Sequence, residues 1–346
     1  MQSLPLRKIA VCFIAAAVLL TAGCEDKPAP PPASSAPEKP LVGVFIFKKD
    51  DVYISMVADA LKANLAGKAE VSVQYAGEDQ LTQNEQLEAL LRKKAAGVAL
   101  NLVDIQAAAH TVDKIKKAGI PVIYFNREPD MATIKSYDKA RFVGTTIDDA
   151  GKMQGELIAR LWRAHPAYDR NRDGQCQYVM FQGNADNPEA VARTEYSVRQ
   201  AREQGLAMQQ LGQTFICSWD RDLARRSMEF AFSQYGDAIE LVISNNDSMA
   251  LGAIDVLQKH GYNLEGKPEK FIPVVGVDAI PDAVAAIGKG IMNATVKQDG
   301  EAMGNAIASL LLNAIAGKDF LDGTPYSWDD SGIAIRIPYA PFEGKR

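Results

Sequence analysis

The sequence contains few histidines and no excess of positive charge. Its 346 residues include 3 His, and acidic side chains outnumber basic ones to give a formal net charge of −5. These absences argue against a His-rich transition-metal site and against a nucleic-acid partner. Neither a GxGxxG nor a GxxxxGK(S/T) motif follows the first strand predicted in either half, which argues against a nucleotide site.

An apolar run long enough to span a bilayer is also missing. The stretch 9–20 follows Arg7 and Lys8 and ends just before small residues and Cys24. It is too short for a stable transmembrane helix and is typical of an export signal. Small residues directly before a cysteine resemble a bacterial lipobox, although Thr21 stands where that pattern usually has Leu. We expect a lipoprotein signal over 1–24 with lipidation at Cys24; an ordinary signal with an incidental cysteine is the alternative.

A short segment of biased composition follows the signal. Residues 25–40 carry many Pro, Ala, Ser and Lys and almost no large apolar side chain. Such a segment cannot bury a core, so we expect an extended, disordered spacer. It would hold a folded body away from a membrane.

Two of the four cysteines remain in the body of the chain. Cys12 leaves with the signal and Cys24 is the lipidation candidate, which leaves Cys176 and Cys217. In an oxidising compartment such a pair invites a disulfide. However, Cys176 opens one predicted strand and Cys217 follows the next parallel strand, so they should lie at opposite ends of the sheet. We predict two free, mostly buried thiols.

From residue 41 onward, apolar strands alternate with amphipathic helices. The predicted strands are LVGVFIF, EVSVQYA, GVALNLV, PVIYFN, RFVGTT, QYVMFQG, AMQQLGQ, ELVISN, IPVVGVD and NATVKQD. The predicted helices cover 54–66, 83–94, 105–117, 149–164, 188–204, 223–235, 248–260, 281–289 and 302–316. Continuous apolar strands between helices predict parallel sheets covered on both faces. There are too many strands for one sheet, so we predict an α/β protein of two doubly wound domains.

Polar side chains follow these strands at their carboxyl ends, where open α/β sheets bind ligands. The set is Asp50, Asp51, Tyr53, Asn101, Asp104, Asn184, Asn187, Glu189, Arg193, Trp219, Asp220, Asn245, Asn246, Asp247, Asp278, Gln298 and Asp299. Amides and carboxylates form cooperative hydrogen-bond networks with vicinal hydroxyl groups. An indole face covers the apolar C–H patch of a pyranose. Together these groups predict a monosaccharide site.

Helix capping is the alternative role for each of these Asp and Asn residues, because both commonly begin a helix after a strand. We expect simple capping at Asp104, Asp220, Asp247 and Asp299. Trp219 and Arg193 cannot cap a helix, so they favour the ligand site.

The nonapeptide DRNRDGQCQ, residues 169–177, resembles the first half of a calcium loop. Its candidate ligands are the side chains of Asp169, Asn171, Asp173 and Gln177 and the carbonyl of Gln175. Gly174 permits the sharp turn that brings these hard oxygen ligands round one ion. Met180 stands where a complete loop has a bidentate Glu, and a strand follows instead of a helix. Calcium binding and a solvated Asx-turn loop both remain open, and calcium requires a carboxylate from elsewhere in the chain.

Several segments carry a more specific resemblance. They are FKKDDVY, ALNLVD, PVIYFNREP, DRNRDGQCQ, NPEAVART, SWD, IELVISNNDSMALGA, VVGVDAIPDA and IRIPY. In this order, across 41–339, they resemble bacterial galactose/glucose-binding proteins, the periplasmic components of ABC sugar transporters. The resemblance implies two Rossmann-like lobes of the type I periplasmic binding protein fold, joined by three crossing segments. The first lobe would comprise 41–125 plus 298–336, and the second 126–297 plus 337–346 with the calcium site.

The resemblance also implies roles for individual residues. The implied sugar ligands are Asp51, Tyr53, Asn101, Asn187, Glu189, Arg193, Trp219, Asn246, Asp278 and Gln298. Tyr53 and Trp219 would sandwich the sugar ring. Glu240 would supply the missing carboxylate, which favours calcium in the loop.

Four positions depart from the family pattern. Asn187 stands where His is usual, Glu189 where Asp is usual, Gln298 where Asn is usual, and Tyr53 replaces Phe. The extra methylene of Glu189 moves an acceptor by about a bond length, which can leave a buried hydroxyl unpaired at a cost of about 1–3 kcal/mol. D-galactose or D-glucose is therefore the leading ligand, with another hexose or a pentose as the alternative.

The predicted function is capture of a monosaccharide by a monomeric lipoprotein of an ABC sugar importer. It would act at the periplasmic or cell-envelope face and pass its sugar to the permease, with a chemoreceptor as a further candidate partner. Closure would bend three strands near residues 124–126, 297–299 and 336–338.

Two other classes of function are less consistent with these residues. A glycosidase needs paired carboxylates, one of them with a raised pKa. Asp51 and Asp278 are expected to face each other, but neighbouring amides and Arg193 would keep both ionised, so we predict no enzymatic activity. A sugar-responsive regulator needs a basic helix-turn-helix where this chain has a signal and a Pro-rich segment.

Overall fold

The computed structural model describes residues 38–344, so the predicted signal, Cys24 and nearly all of the Pro-rich segment lie outside the described residues. The strands of the described range are β1 (Leu41–Ile46), β2 (Glu70–Tyr75), β3 (Gly97–Leu100), β4 (Val122–Phe125), β5 (Ala140–Gly144), β6 (Gln175–Gln182), β7 (Ala207–Gln210), β8 (Phe215–Ile216), β9 (Leu241–Ser244), β10 (Val274–Asp278), β11 (Ala294–Lys297), β12 (Ala334–Arg336) and β13 (Ala340–Glu343).

The helices alternate with these strands. They are α1 (Val52–Leu65), α2 (Gln80–Arg92), α3 (Ala108–Ala118), α4 (Met131–Lys135), α5 (Asp149–Ala164), α6 (Pro188–Glu203), α7 (Arg221–Tyr235), α8 (Asp247–Lys259), α9 (Pro281–Gly288) and α10 (Gly300–Ile315). In the described range, none of them combines the length and the apolar character needed to cross a membrane.

The first sheet has the strand order β12-β5-β4-β3-β1-β2, and all of its pairs are parallel. Both faces are covered by helices. Val44 and Ile46 belong to the core that includes α1 and α10, whereas Phe45 packs with Leu87 of α2 and Val112 of α3. This two-sided burial explains the continuous apolar sequence of the central strands.

The second sheet has the order β13-β11-β10-β9-β6-β7, and β8 pairs with the last residues of β6. Its pairs are parallel except for β13, which runs antiparallel to β11. Helices α5 and α6 pack tightly on one face. A side chain on Gly155 of α5 would meet the backbone of α6 at Ser197 and Ala201, so only glycine permits this approach.

Three segments pass between the sheets. They follow β5, β11 and β12, where the chain leaves one sheet and next enters an element of the other. The predicted fold of two doubly wound lobes joined by three crossing segments is therefore confirmed.

The first crossing differs from the prediction. We placed the end of the first lobe at 125, near a bend at 124–126, and assigned the following residues to the second lobe. Instead β5 pairs with both β4 and β12 in the first sheet, and the chain crosses only between Gly144 and Asp149. Strand pairing, which sequence periodicity does not reveal, keeps residues 126–144 with the first sheet.

Smaller differences concern short elements. The predicted helix over 105–117 begins as a 3₁₀ turn, Ile105–Ala107, before α3. The short elements α4, β8 and β13 were not predicted. Cys176 and Cys217 are both free and buried, as predicted. They lie at opposite ends of β6, since Cys176 is its second residue and Cys217 follows the strand paired with its last two residues.

Candidate functional site

A cavity lies where the carboxyl ends of strands from both sheets meet. Its empty volume, including the mouth, is about 370 Å³. The predicted ligand residues that line it are Asp51, Tyr53, Asn187, Glu189, Arg193, Trp219, Asn246, Asp278 and Gln298. The structure thus brings together side chains that are widely separated in sequence.

Asn101 was also predicted to contact the ligand, but it lies behind the cavity wall. Its side chain is fully buried after β3 and donates to the carbonyl of Phe125 and to Oδ1 of Asn126, both at 3.2 Å. Its own Oδ1 accepts the N–H of Phe47 at 3.3 Å. Phe47 and Asn126 do line the cavity. Asn101 therefore positions two wall residues.

Three cavity residues are also helix N-caps. Each accepts the backbone N–H three residues on: Asp51 from Ile54 (2.9 Å), Asn187 from Ala190 (2.9 Å) and Asn246 from Met249 (3.0 Å). The bonds fix the side chains and direct the positive ends of α1, α6 and α8 toward the cavity. Capping and ligand binding are therefore compatible roles here.

Simple capping is confirmed at Asp104, Asp220 and Asp299, which accept N–H groups at the starts of a 3₁₀ turn, α7 and α10. It is wrong for Asp247. Asn246 caps α8, while Asp247 is fully buried and accepts from Oγ1 of Thr295 at 2.7 Å and from the N–H of Ile280 at 3.0 Å. Asp247 therefore ties the turn after β10 to β11, and burial raises the pKa of its carboxyl.

Arg193 lies at the centre of the polar wall and is 3% exposed. Its Nη1 donates to the carbonyl of Asn245 at 2.8 Å, and its Nη2 donates to Gln298 Oε1 at 3.1 Å. Ion pairs join it to Glu189 (3.4 Å) and Asp278 (3.7 Å). Among the described residues, Arg193 Nε and Gln298 Nε2 have no hydrogen-bond partner. Two buried donors without acceptors are costly unless a ligand supplies the acceptors.

Trp219 forms an apolar part of the wall. Its Nε1 donates to Asn184 Oδ1 at 2.6 Å. Its backbone has φ of 64°, and that of Ser218 is 48°, a left-handed conformation uncommon for residues with side chains. A side chain on Gly183 would collide with the indole ring. Backbone strain and close packing therefore hold this indole at the cavity.

Tyr53 is a further aromatic residue of the cavity wall and is 5% exposed. Its hydroxyl donates to Met303 Sδ at 3.6 Å. Burial, followed by the effects of Tyr339 and Asp278, raises the pKa of Tyr53 well above its usual value. Tyr53 and Trp219 both line the cavity; the sandwich of a sugar ring between them remains a prediction.

Asp51 and Asp278 were expected to stay ionised, but both carboxyl groups have raised pKa values. Burial raises the pKa of Asp51, although Lys48, Arg127 and Arg193 oppose the effect. Burial also raises the pKa of Asp278 well above its usual range, opposed by Arg193 and reinforced by Asp247 and Asp51. Asp278 has φ of 118°, so its position is also strained. A ligand with hydroxyl donors would stabilise the ionised forms.

Four further residues line this cavity and were not among the predicted ligands, namely Phe47, Ile54, Asn126 and Arg127. Asn126 and Arg127 directly follow β4, so the rule that found the other polar residues also applies to them. Arg127 lies 4.3 Å above the ring of Phe47 and donates to Asn184 Oδ1 at 3.1 Å. It thereby links a loop of the first sheet to one of the second.

Each crossing segment contributes one side chain to the polar network at the start of α6. Thr145 Oγ1, after β5, and the hydroxyl of Tyr339, before β13, both donate to Glu189 Oε1 at 2.9 Å. Gln298, after β11, accepts from Arg193, which also donates to Tyr339 at 3.1 Å. The cavity wall and the connections between the sheets therefore share one hydrogen-bond network.

The candidate calcium loop lies at the opposite, amino end of β6. Asp173 N–H donates to Asn171 Oδ1 at 2.9 Å, and Gly174 N–H donates to Asp169 Oδ2 at 3.0 Å. Gln177 Nε2 donates to Asp173 Oδ2 at 2.7 Å. These bonds connect the side chains of Asp169, Asn171, Asp173 and Gln177 within one loop.

Glu240, just before β9, extends its carboxylate to this loop. It accepts backbone N–H groups from Arg170 at 2.6 Å and Gln177 at 3.3 Å. Burial raises the pKa of Glu240, opposed by these bonds. The buried Oε1 of Gln177 has no partner among the described residues. In the described range, no three His, Cys, Asp or Glu side chains converge as a metal site, so amide and carbonyl oxygens must complete any calcium shell.

The comparisons identify the class of the protein. A family model described as a periplasmic binding protein domain matches residues 42–319. The chain therefore belongs to the periplasmic binding protein family.

Individual relatives refine this assignment. The chain is 36% identical, over 303 residues, to the D-galactose/methyl-galactoside binding periplasmic protein MglB of Haemophilus influenzae, covering 86% of this chain and 88% of that protein. It is 26% identical to a putative rhizopine-binding protein of Rhizobium meliloti, covering 90% and 95%. A solved ABC transporter solute binding protein of Bacillus halodurans, with bound myo-inositol, superposes with a TM-score of 0.72 at 26% identity, covering 90% and 96%.

Proposed function

We propose that this protein is the sugar-binding component of an ABC importer and captures one monosaccharide between its two lobes. D-galactose or D-glucose is the leading ligand. The observation that carries the proposal is the cavity wall at the meeting point of both sheets, which combines carboxylates and amides with Arg193 and the aromatic residues Phe47, Tyr53 and Trp219. The name of the Haemophilus influenzae relative supports a galactose-type ligand.

The polar atoms of the wall are matched to a polyol. Arg193 Nε and Gln298 Nε2 are buried donors that need acceptors, which sugar oxygens provide. Asp51 and Asp278 are acceptors for hydroxyl groups, and Trp219 offers an apolar face for ring C–H groups. A hydroxyl that bridges such donors and acceptors satisfies both at once.

We also propose that the protein binds its sugar without catalysing a reaction on it. Asp51 and Asp278 both have raised pKa values, a property that some glycosidase acids share. However, Arg193 lies 3.7 Å from Asp278, and sugar hydroxyl groups would add further bonds to the ionised forms. The relatives described above are also named for binding.

We further propose that the loop 169–177 holds one Ca²⁺. The ligands would be Asp169, Asn171, Asp173, the carbonyl of Gln175, Gln177 and Glu240. The unpaired oxygen of Gln177 and the buried carboxylate of Glu240 at the same loop support this assignment, since Ca²⁺ prefers such oxygen donors. The ion would stabilise the fold at the end of β6 remote from the sugar cavity.

The proposed setting is the cell envelope. Export is consistent with the periplasmic family, and the sequence before residue 41 supports a lipid anchor at Cys24 with a Pro-rich spacer. The monomer would deliver sugar to the permease subunits, and presentation to a chemoreceptor is a further proposed role.

Calorimetry against D-galactose, D-glucose, other hexoses, pentoses and myo-inositol tests the proposal. We expect one hexose to bind at one site per chain. Trp219→Ala should weaken that binding about thirtyfold or more, as for the loss of about 2 kcal/mol at a central aromatic contact. Trp162→Ala, remote from the cavity, should leave the affinity unchanged. Absence of binding across the panel would refute the proposal.

A different polyol is the second candidate. The departures at Asn187, Glu189 and Gln298 all lie in the cavity wall, and one solved relative at 26% identity holds myo-inositol. Preference for a pentose or inositol in the same calorimetric panel would favour it.

A further inference from the structure

The turn that follows β10 has a strained backbone. Asp278, the last residue of β10, has φ of 118°, and Ala279 after it has φ of 58°. Both values favour glycine, and residues with side chains keep them only where the surrounding structure imposes them. Because Asp278 lines the sugar cavity, the groups that impose this turn also position a residue of the cavity wall.

Strand pairing supports the turn from β11 but not from β9. The strand β10 pairs with β11 as far as Asp278, which lies opposite Lys297. Its pairing with β9 covers only Val274 and Val275 and stops three residues before Asp278. The end of β10 therefore lacks backbone hydrogen bonds to β9, and other groups must hold it.

The carboxylate of Asp247, at the start of α8, bonds to the chain at this place. The residue is fully buried, its Oδ2 accepts the N–H of Ile280 at 3.0 Å, and its Oδ1 accepts the hydroxyl of Thr295 at 2.7 Å. A side chain on Gly276 of β10 would collide with the same Oδ1. One carboxylate thus contacts the end of β10, the turn after it and the neighbouring strand β11.

We propose that Asp247 is a positioning residue for sugar binding: its buried carboxylate holds the strained turn after β10 in the conformation that presents the Asp278 carboxylate to the ligand. This inference rests on the proposed sugar-binding function and assigns an affinity-determining role to a residue outside the cavity wall. Arg193 pairs with the Asp278 side chain at 3.7 Å, whereas Asp247 bonds to the backbone two residues further on.

Without the bonds of Asp247, the turn would relax toward unstrained backbone angles and move the Asp278 carboxylate. A displaced acceptor leaves a buried sugar hydroxyl poorly paired, which weakens binding. Removing Asp247 outright would also leave two buried donors unpaired and destabilise the fold. A milder test therefore changes its partner on β11.

Thr295→Val removes the hydroxyl that bonds to Asp247 and keeps the shape of the side chain. We expect the affinity for the preferred hexose to fall about fivefold, the equivalent of about 1 kcal/mol for one lost buried hydrogen bond. Thr295→Ser retains the hydroxyl, so its affinity should stay within about twofold of that of the unaltered protein. Calorimetry gives the affinities, and thermal melting gives the stabilities.

Thr111→Val is the matched control for a general loss of stability. Thr111, on α3, is also fully buried, and its hydroxyl lies 2.7 Å from that of Tyr124. Neither residue is in the wall of the sugar cavity. This variant should lower the melting temperature as Thr295→Val does, yet its hexose affinity should stay within about twofold of that of the unaltered protein.

A double-mutant cycle tests whether the effect acts through Asp278. Asp278→Asn should itself weaken binding, and adding Thr295→Val should then weaken it by less than about a further twofold, because the acceptor that the turn positions is already changed. Hexoses are very soluble in water, so the weak binding of this background can be titrated.

The results distinguish failure of the positioning role from failure of the proposed function. If the unaltered protein binds no sugar, the proposed function itself fails. If it binds sugar but Thr295→Val loses no more affinity than Thr111→Val, the role of Asp247 is refuted and the sugar-binding function stands. The same conclusion follows if Thr295→Ser is as weak as Thr295→Val, if Asp278→Asn keeps full affinity, or if Thr295→Val has the same effect with and without Asp278→Asn.

Discussion

Single residues at the cavity serve the fold and the site at once. Asp51, Asn187 and Asn246 each begin a helix and each line the cavity. Removing such a cap costs about 1 kcal/mol of stability on its own. Substitutions at these positions would therefore lower stability and ligand affinity together. The role of the cavity wall in binding is better tested at residues that contact the wall and do not cap a helix.

Gly183 is such a residue. A methyl group there would collide with the indole of Trp219, whose Nε1 donates to the neighbouring Asn184. Gly183→Ala should weaken sugar binding about tenfold or more, since overpacking costs about 1–3 kcal/mol and the indole must shift to relieve it. Calorimetry gives the affinity, and thermal melting shows whether the fold is retained.

Gly288→Ala is the matched control for this substitution. Gly288 ends α9 and a methyl group there meets no atom within 4 Å. It should leave the affinity unchanged. Full affinity in a folded Gly183→Ala variant would contradict the role given to the indole.

At the scale of helices and strands, the sequence predicts the positions of the long elements well. It predicts less well which strands pair with each other in a sheet. Helix α5 has the predicted bounds, because its amphipathic period is long and a strand precedes it. The five-residue α4 and the two-residue β8 are too short to show a period. The strand β5 was predicted as an element but assigned to the wrong lobe, because its pairing with β12 joins residues nearly two hundred positions apart.

Most residues of the candidate site could be predicted from the sequence, because their positions depend on where predicted strands end. Most of its residues follow parallel strands, and all carboxyl ends of such strands meet at one edge. Thr145 and Tyr339 were missed because their role depends on where the chain crosses between sheets. Asn101 is not among the residues that line the cavity, since periodicity does not distinguish the wall of a cavity from the layer behind it; its contact with a ligand stays a prediction.

The calcium loop offers a prediction at this scale. Adding calcium should raise the melting temperature by a few degrees, since an ion at one hundred times its Kd contributes about 2.7 kcal/mol to the native state. Asp169→Ala and Glu240→Ala should abolish this gain yet retain sugar binding, because the loop lies at the end of β6 away from the cavity. Asp113→Ala, an exposed position on α3, should respond to calcium like the unaltered protein.

Differential scanning calorimetry with and without a chelator makes the measurement. An unaltered protein whose melting is unaffected by the chelator would contradict the calcium assignment.

At the scale of the whole molecule, the two lobes contribute different residues to the proposed sugar site. Asp51 and Tyr53 come from the first lobe, whereas Arg193 and Asp278 come from the second. In the proposed mechanism a sugar would contact both lobes only in a closed state, so the ligand would shift the population toward closure.

Solution scattering should therefore give a smaller radius of gyration with saturating sugar than without it. Trp219→Ala at the same sugar concentration is the control, because weaker binding should leave it closer to the ligand-free value. Equal radii for the unaltered protein, with binding verified by calorimetry, would leave a sugar binder that does not signal by closing.

The network that joins Glu189 and Arg193 to Thr145, Gln298 and Tyr339 also limits how this protein can be redesigned. All three connections between the lobes send a side chain into the hydrogen-bond network of Glu189 and Arg193, two residues of the cavity wall. If the lobes close as proposed, a biosensor engineer who changes that wall to accept a new analyte would also alter the resting balance between open and closed forms. Selectivity and signal amplitude would consequently be coupled in this scaffold, so that they must be optimised together.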